Sequence, residues 1–143
     1  MKVKQISVVL ENKSGRLNAV ANLLAANGIN IRALSIADTS AYGILRLIVN
    51  DPELAYKVLR EASFTVSLTE VIGVEMPDEP GGLARVLNIL DCHGINIEYL
   101  YAFVSSVQGK AMVIFRVENI EEAIACLQKE NIRIVEGELL YQM

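Results

Sequence analysis

Leu10-Glu11-Asn12-Lys13-Ser14-Gly15-Arg16-Leu17 closes an alternating apolar run and opens an amphipathic helix, and this short stretch decides the architecture. Its counterpart, Met76-Pro77-Asp78-Glu79-Pro80-Gly81-Gly82-Leu83, stands 66 positions on. A strand that turns into a helix through small residues leaves backbone N–H groups without partners, and such groups suit a carboxylate or a phosphate. Gly15 and Gly81 lack the Cβ that would keep a ligand from the backbone.

Outward from the first turn, Ile6, Val8 and Leu10 share one face at a period of two, which predicts a strand. Leu17, Val20, Ala21 and Leu24 recur at helical spacing, with Ser14 expected as N-cap and Gly28 as the stop. A second strand is expected from Ile29 to Asp38, a hairpin turn at Thr39-Ser40-Ala41-Tyr42-Gly43, and a third strand from Ile44 to Val49. Asp51 before Pro52 marks the next helix start, with Ala55, Val58, Leu59 and Ala62 as its apolar stripe. Phe64 to Leu68 is expected as the fourth strand. The order is β-α-β-β-α-β, the ferredoxin-like unit.

The same order then repeats. Val71, Ile72, Val74 and Met76 answer Gln5, Ile6, Val8 and Leu10, and Gly94-Ile95-Asn96-Ile97 is identical to Gly28-Ile29-Asn30-Ile31. Past the second hairpin the offset becomes 68, as Ala123 answers Ala55 and Leu127 answers Leu59. Asn119 is expected to cap the last helix and Ile132 to Val135 to close the unit, which leaves 136–143 without an assigned element. The expected fold class is α+β: two tandem ferredoxin-like units, residues 1–69 and 70–143, each an antiparallel sheet with its helices on one face and the two set side by side.

Bulk properties narrow the function. Net charge is −4 and no stretch gathers enough Lys and Arg to follow a phosphate backbone, so nucleic acid is not expected as a partner. The opening Met1-Lys2-Val3-Lys4-Gln5 lacks the apolar core of a signal peptide, and no apolar run reaches the ~20 residues of a membrane span. The expectation is a cytoplasmic protein without a membrane partner. Hydrophobic residues make up 52% of the chain, a surplus that points to buried interfaces and a homodimer. Cys92 and Cys126 are expected as buried free thiols.

Catalytic signals are sparse. His93, the single histidine, falls where a helix ends and is expected to be satisfied there; no His/Cys/Asp/Glu group has metal-ligand spacing, and no nucleophile comes with a base. No catalytic residue, metal or cofactor is therefore assigned, and the chain is not expected to be an enzyme. The third strands, Ile44 to Val49 and Ala111 to Phe115, carry mostly aliphatic residues, unlike an RNA-recognition module, and neither turn has the CxxC of a soft-metal carrier. On the second strands the halves differ: Ala33, Ser35 and Ala37 share one side in the first half, and the matching positions of the second half are Tyr99, Tyr101 and Phe103. The aromatic side is open to two placements, a bare sheet face that needs a partner or a position under the unit's own helices.

Taken together, the turn Asp78-Glu79-Pro80-Gly81-Gly82-Leu83 followed by Gly94-Ile95-Asn96-Ile97 on a βαββαβ unit resembles the ACT domain, and both halves fit over nearly their whole length. The first half, from Val8 to Leu17, is also similar to the opening of the small regulatory subunit of acetolactate synthase. ACT domains are regulatory modules that bind amino acids, commonly at the interface between two copies side by side. The resemblance implies a ligand loop at Asn12, Ser14, Gly15 and Leu17, with Asn30 and Ile31 facing the ligand from the adjacent copy. In the second half it implies a loop at Asp78, Pro80, Gly81 and Leu83, with Asn96 and Ile97. Backbone N–H groups at Gly15, Arg16, Gly81 and Gly82 are expected to take the carboxylate, Asn30 and Asn96 the polar end, and Leu17, Ile31, Leu83 and Ile97 an apolar side suited to a small aliphatic amino acid. The first loop carries Asn12 and Ser14 where the commoner pattern has Asp and Pro, so the two sites need not be equivalent. The implied function is a non-catalytic amino-acid-binding regulatory or sensor protein acting in trans; the alternative is a regulatory subunit that controls a separate amino-acid-biosynthetic enzyme.

Overall fold

The computed structural model describes residues 1–11, 13–38, 41–104 and 108–142. Its elements run β1 (Val3–Glu11), α1 (Arg16–Ala26), β2 (Ile31–Asp38), β3 (Tyr42–Val49), α2 (Pro52–Glu61), β4 (Thr65–Pro77), α3 (Gly82–Cys92), β5 (Ile97–Ala102), β6 (Lys110–Val117), α4 (Ile120–Lys129), β7 (Arg133–Val135) and α5 (Gly137–Leu140). The chain is an α+β protein in which the βαββαβ order occurs twice. Two compact units result: one gathers Lys4–Thr69 with the last residues from Tyr141, the other gathers Met1–Val3 with Glu70–Leu140.

In the first of these units β3 lies between β1 and β2, antiparallel to both, with Ile6 opposite Leu47 and Leu34 opposite Leu47 on the other side. Residues opposite one another share a face. Ile6, Val8, Leu10, Leu45, Leu47 and Val49 thus form one apolar side, and Val20 and Leu24 of α1 and Ala55 and Leu59 of α2 close over it. The other unit repeats the arrangement in the order β5-β6-β4-β7, all antiparallel. There Ile72, Val74, Met76, Val113, Phe115 and Val117 meet Val86 and Leu90 of α3 and Ala123 and Leu127 of α4. Both helices of each unit pack into one cluster, which places them on one face of its sheet.

Several boundaries differ from the periodicity. Tyr42 and Gly43 belong to β3 rather than to the hairpin turn, because the pairing with β1 extends to Glu11 opposite Tyr42. Thr39 and Ser40 of that expected turn lie outside the described residues. The stretches expected as two strands, Phe64 to Leu68 and Val71 to Met76, run as the single 13-residue β4, since no Gly or Pro interrupts the extended backbone between them. Asp51 and Asn119 do cap their helices, accepting from the Leu54 and Glu122 N–H groups at 3.2 and 3.1 Å. Ser14 does not: α1 begins after Gly15, whose φ of 89° is left-handed, and no side chain caps it. α3 begins the same way after Gly81, with φ 87°.

Gly82, the first residue of α3, has a separate reason to be glycine. A Cβ there would lie 2.2 Å from the Pro77 carbonyl oxygen. Cys126 is buried and burial pushes its thiol up, but Cys92, expected to be buried, is exposed at the end of α3.

The stretch left unassigned by the sequence forms α5. Leu140 is fully buried, and its side chain occupies the space a Cβ on Gly73 would fill. Gly73 is opposite Ile114, which is opposite Tyr101, so this row lies on the side of the sheet away from the helices. The aromatic stripe is on that helix-free face, with the Tyr99 and Tyr101 rings stacked at 6.5 Å. Part of its cover comes from the chain's own end. In the other unit, Tyr141 accepts from the Lys4 N–H through its hydroxyl at 2.8 Å and from Arg32 Nε through its carbonyl at 3.2 Å.

Two stability predictions follow from these contacts. Leu140→Ala is expected to lower the urea-unfolding free energy by about 2–5 kcal/mol, the range for emptying a buried leucine site; an unchanged midpoint would show that the tail does not belong to the core. Gly82→Ala is expected to cost about 1–3 kcal/mol, because its neighbour is backbone and cannot swing aside. A variant as stable as the parent chain would mean that the turn has room the geometry denies.

Candidate functional site

The two strand-to-helix turns share a backbone hydrogen bond and a left-handed glycine. The Lys13 N–H donates to the Glu11 carbonyl at 2.8 Å and the Glu79 N–H to the Pro77 carbonyl at 3.0 Å, positions that match under the 66-residue offset. Each turn ends in its left-handed glycine, and nothing stands within 4 Å of where a Cβ on Gly15 or Gly81 would be. The helix starts then divide into two kinds. α2 and α4 have a capping side chain and acidic residues in the first turn, whereas α1 and α3 have neither. The first turns of α1 and α3 thus carry no acidic side chain and no side-chain cap, which leaves their positive ends open to an external anion.

A cavity opens beside each turn. The one at α1 measures about 320 Å³ and is lined by Leu10, Glu11, Lys13, Arg16, Leu17, Ile36 and Gly43. Register explains the last two: Gly43 is opposite Leu10, and Ile36 is opposite Leu45 at the far end of β2, so the hairpin end folds back to the turn. On the other side of Arg16 a second hollow of about 140 Å³ is lined by Val9, Glu11, Tyr42, Ser63, Phe64 and Thr65. Arg16 lines both, and its guanidinium carbon lies 4.7 Å from the centre of the Phe64 ring. At α3 the cavity is smaller, about 180 Å³, between Pro77, Glu79, Pro80, Gly81, Gly82, Arg85 and Ile132.

Of the residues expected at the first site, Arg16 and Leu17 line the cavity, Gly15 supplies the turn, and Ser14 is exposed beside it. Asn12 lies outside the described residues. Asn30 and Ile31 are not brought to the turn of their own unit: they follow the far end of α1, whose 11 residues span about 16 Å. Asn30 is instead held by Asn50, donating its N–H to Asn50 Oδ1 at 2.9 Å and accepting the Asn50 N–H at 3.2 Å. At the second site Pro80, Gly81 and Gly82 line the cavity, while Leu83 is exposed on α3. The Gly82 N–H already donates to the Glu79 carbonyl at 3.0 Å, and the Asp78 N–H to the Gly109 carbonyl at 3.1 Å. Asn96 and Ile97 again stand at the far end of their helix, the Asn96 carbonyl accepting the Glu118 N–H at 3.1 Å.

Glu11, Lys13, Ile36, Gly43 and Phe64 are cavity residues that sequence reasoning did not single out. Glu11 and Lys13 stand within the quoted stretch; Ile36 and Gly43 arrive through strand register, and Phe64 from the segment between α2 and β4. His93 ends α3 with Nδ1 2.9 Å from the Ile89 carbonyl, a satisfied helix-end histidine. Among the described residues no three His, Cys, Asp or Glu side chains group as metal ligands, and no helix is long and apolar enough to cross a membrane.

A family model described as an ACT domain pair matches residues 1–143. Among solved structures, protein BT0572 from Bacteroides thetaiotaomicron is similar at 41% identity and a TM-score of 0.95, covering 100% of this chain and 98% of that one. The regulatory subunit of aspartate kinase from Thermus thermophilus, in its ligand-free form, is 17% identical with a TM-score of 0.63, covering 88% of this chain and 91% of that one. The corresponding subunit from Thermus flavus is 18% identical with a TM-score of 0.61, covering 88% and 90%. These two likenesses are of fold. Comparison with curated protein sequences returns no match. With the repeat, the paired glycine turns and a family match over its full length, the chain belongs to the ACT domain family as an ACT domain pair.

Proposed function

We propose that the chain is a non-catalytic, amino-acid-binding regulatory protein of the cytoplasm, with each half, 1–69 and 70–143, contributing one ACT unit. The observation that carries this reading is the cavity of about 320 Å³ beside the uncapped start of α1, with charged groups at its turn and aliphatic residues opposite. Its size and lining suit a small aliphatic amino acid: charge at one end for the α-carboxylate and ammonium, Leu17 and Ile36 for the side chain. Ligand loops at Asn12, Ser14, Gly15, Arg16 and Leu17, and at Asp78, Pro80, Gly81, Gly82 and Leu83, belong to the same reading.

A homodimer completes it. Leu34 and Ile36 on β2 face the helix side of the sheet, opposite buried Leu47 and Leu45, yet they are 42% and 52% exposed. Leu100 on β5 repeats Leu34, and Leu83 on α3 repeats Leu17; all four are exposed. β2 and β5 are edge strands in the hydrogen-bonded order. Antiparallel pairing of one β2 edge with the β2 of a second copy would set Asn30 and Ile31 of one chain against Ile36 of the other, beside its cavity. That gives Asn30 and Ile31, and by repetition Asn96 and Ile97, a route to a ligand that their own helices keep at a distance. A second reading covers the same apolar edges with a separate amino-acid-biosynthetic enzyme that the chain controls. Co-purification from cell extract separates the two, since only the second predicts a stable enzyme partner.

A thermal-shift screen of the twenty amino acids tests the ligand. A binder at 100 times its Kd adds about 2.7 kcal/mol of stability, a plain shift in melting temperature for a chain of this size. If no amino acid moves the midpoint, the sensor reading fails. Light scattering at micromolar concentration is expected to return twice the chain mass, and a monomer would overturn the edge-pairing arrangement.

A further inference from the structure

The two halves of the repeat differ at the first residue of the helix that follows each turn. Arg16 begins α1, and the matching residue that begins α3 is Gly82. No arginine fits the second place, because a Cβ on Gly82 would strike the Pro77 carbonyl. Of the charged groups lining the second cavity, Arg85 donates to the Glu130 carbonyl at 3.2 Å and Glu75 pairs with Arg133 at 3.3 Å, while Glu79 adds a carboxylate that opposes an incoming anion. In the first cavity Glu11 and Lys13 pair with each other at 3.2 Å, which leaves Arg16 as the lining cation without a carboxylate among the described residues.

Arg16 is also poorly satisfied where it rests. Its Nε is buried and has no hydrogen-bond partner among the described residues. What holds the side chain is the face of the Phe64 ring, a contact that engages the charge but offers no acceptor to the N–H donors. A buried donor left in this state disfavours the ligand-free arrangement, so an arriving carboxylate would complete what the protein leaves open. Planar guanidinium and planar carboxylate match in two parallel hydrogen bonds.

We propose that in the first-half cavity the Arg16 guanidinium itself holds the α-carboxylate of an aliphatic amino acid whose side chain lies against Leu17 and Ile36, and that the second half has no such handle. This rests on the amino-acid-binding reading above and names the residue and ligand class for one of its two sites. The two loops are then unequal in a defined direction: the first, with the less usual Ser14, is the one equipped for a free carboxylate.

The test is calorimetric titration of the full chain with L-valine, L-leucine and L-isoleucine and with their methyl esters, in the parent protein and in Arg16→Gln and Arg16→Lys. Arg16→Gln is expected to weaken binding of the free amino acids about tenfold or more, the effect of losing a charge-assisted pair. Binding of the esters, already weak, is expected to change less than twofold, and Arg16→Lys is expected to recover part of the loss for the free acids. Equal affinity of Arg16→Gln and parent for the free acids overturns the proposal, as does an equal loss for acids and esters, which would mark a structural role. If the parent chain binds none of the three, the proposal falls, and the thermal-shift screen of the twenty amino acids decides whether the amino-acid reading falls with it.

Discussion

The left-handed backbone at Gly15 and Gly81 is the constraint on which the rest of each unit depends. In each case an extended strand must turn into a helix within a few residues and return the chain along the sheet it has just left. A φ near +90° does this in one step, and only glycine adopts it without steric cost. The direction of that step sets the axis of α1 and α3. It therefore decides that Val20 and Leu24, or Val86 and Leu90, look down on the apolar side of the strands. The same step removes the side chain that would cap the helix, so the geometry that makes the core also leaves the opening beside it.

Units of about 70 residues bury little apolar surface for their length, and this chain answers with contacts from outside each repeat. Met1 to Val3 join the unit of Glu70–Leu140, where the terminal ammonium meets Glu136 at 3.1 Å and Lys2 lies between Glu70 and Glu121. Ion pairs this exposed contribute little individually. The larger effect is apolar: Leu140 seated on Gly73 covers a sheet face that a lone βαββαβ unit leaves bare. Gly73 is a small residue at the centre of a strand where a larger one would ordinarily pack better, and its size is what lets the tail lie close.

Much of this was legible in the sequence because duplication writes each signal twice. Ile6, Val8 and Leu10 beside Ile72, Val74 and Met76 fixed the core face of two strands, and Asp51 and Asn119 announced helices they do cap. The cap of α1 was misread because Ser14 satisfies a residue preference, whereas Gly15 satisfies a dihedral angle, and a left-handed N-cap has no compositional mark beyond glycine itself. The fused β4 has a related cause: the sequence repeat restarts near Val71, but nothing between Leu68 and Val71 bends the backbone, so the repeat boundary is not a structural one. At the site, the turn residues could be read directly. Ile36, Gly43 and Phe64 could not, since strand register, for Ile36 and Gly43, and the path of the chain from α2 into β4, for Phe64, bring them to the turn.

Positions 16 and 82 separate the two halves at the site. A duplicated turn keeps its hydrogen bonds, as Lys13 with Glu11 and Glu79 with Pro77 do, because both copies must fold. Side chains at the turn are under no such demand, and there the copies part: one presents a guanidinium whose Nε has no partner among the described residues, the other a glycine pressed against a carbonyl. The second copy has spent its first helical N–H on Glu79 and drawn the turn tight, and its cavity is the smaller of the two. The first has the larger cavity and a cation set over an aromatic ring. An asymmetry of this kind, on turns that share the Lys13–Glu11 and Glu79–Pro77 backbone bonds, is expected where one unit receives a ligand and the other chiefly completes the fold that presents it.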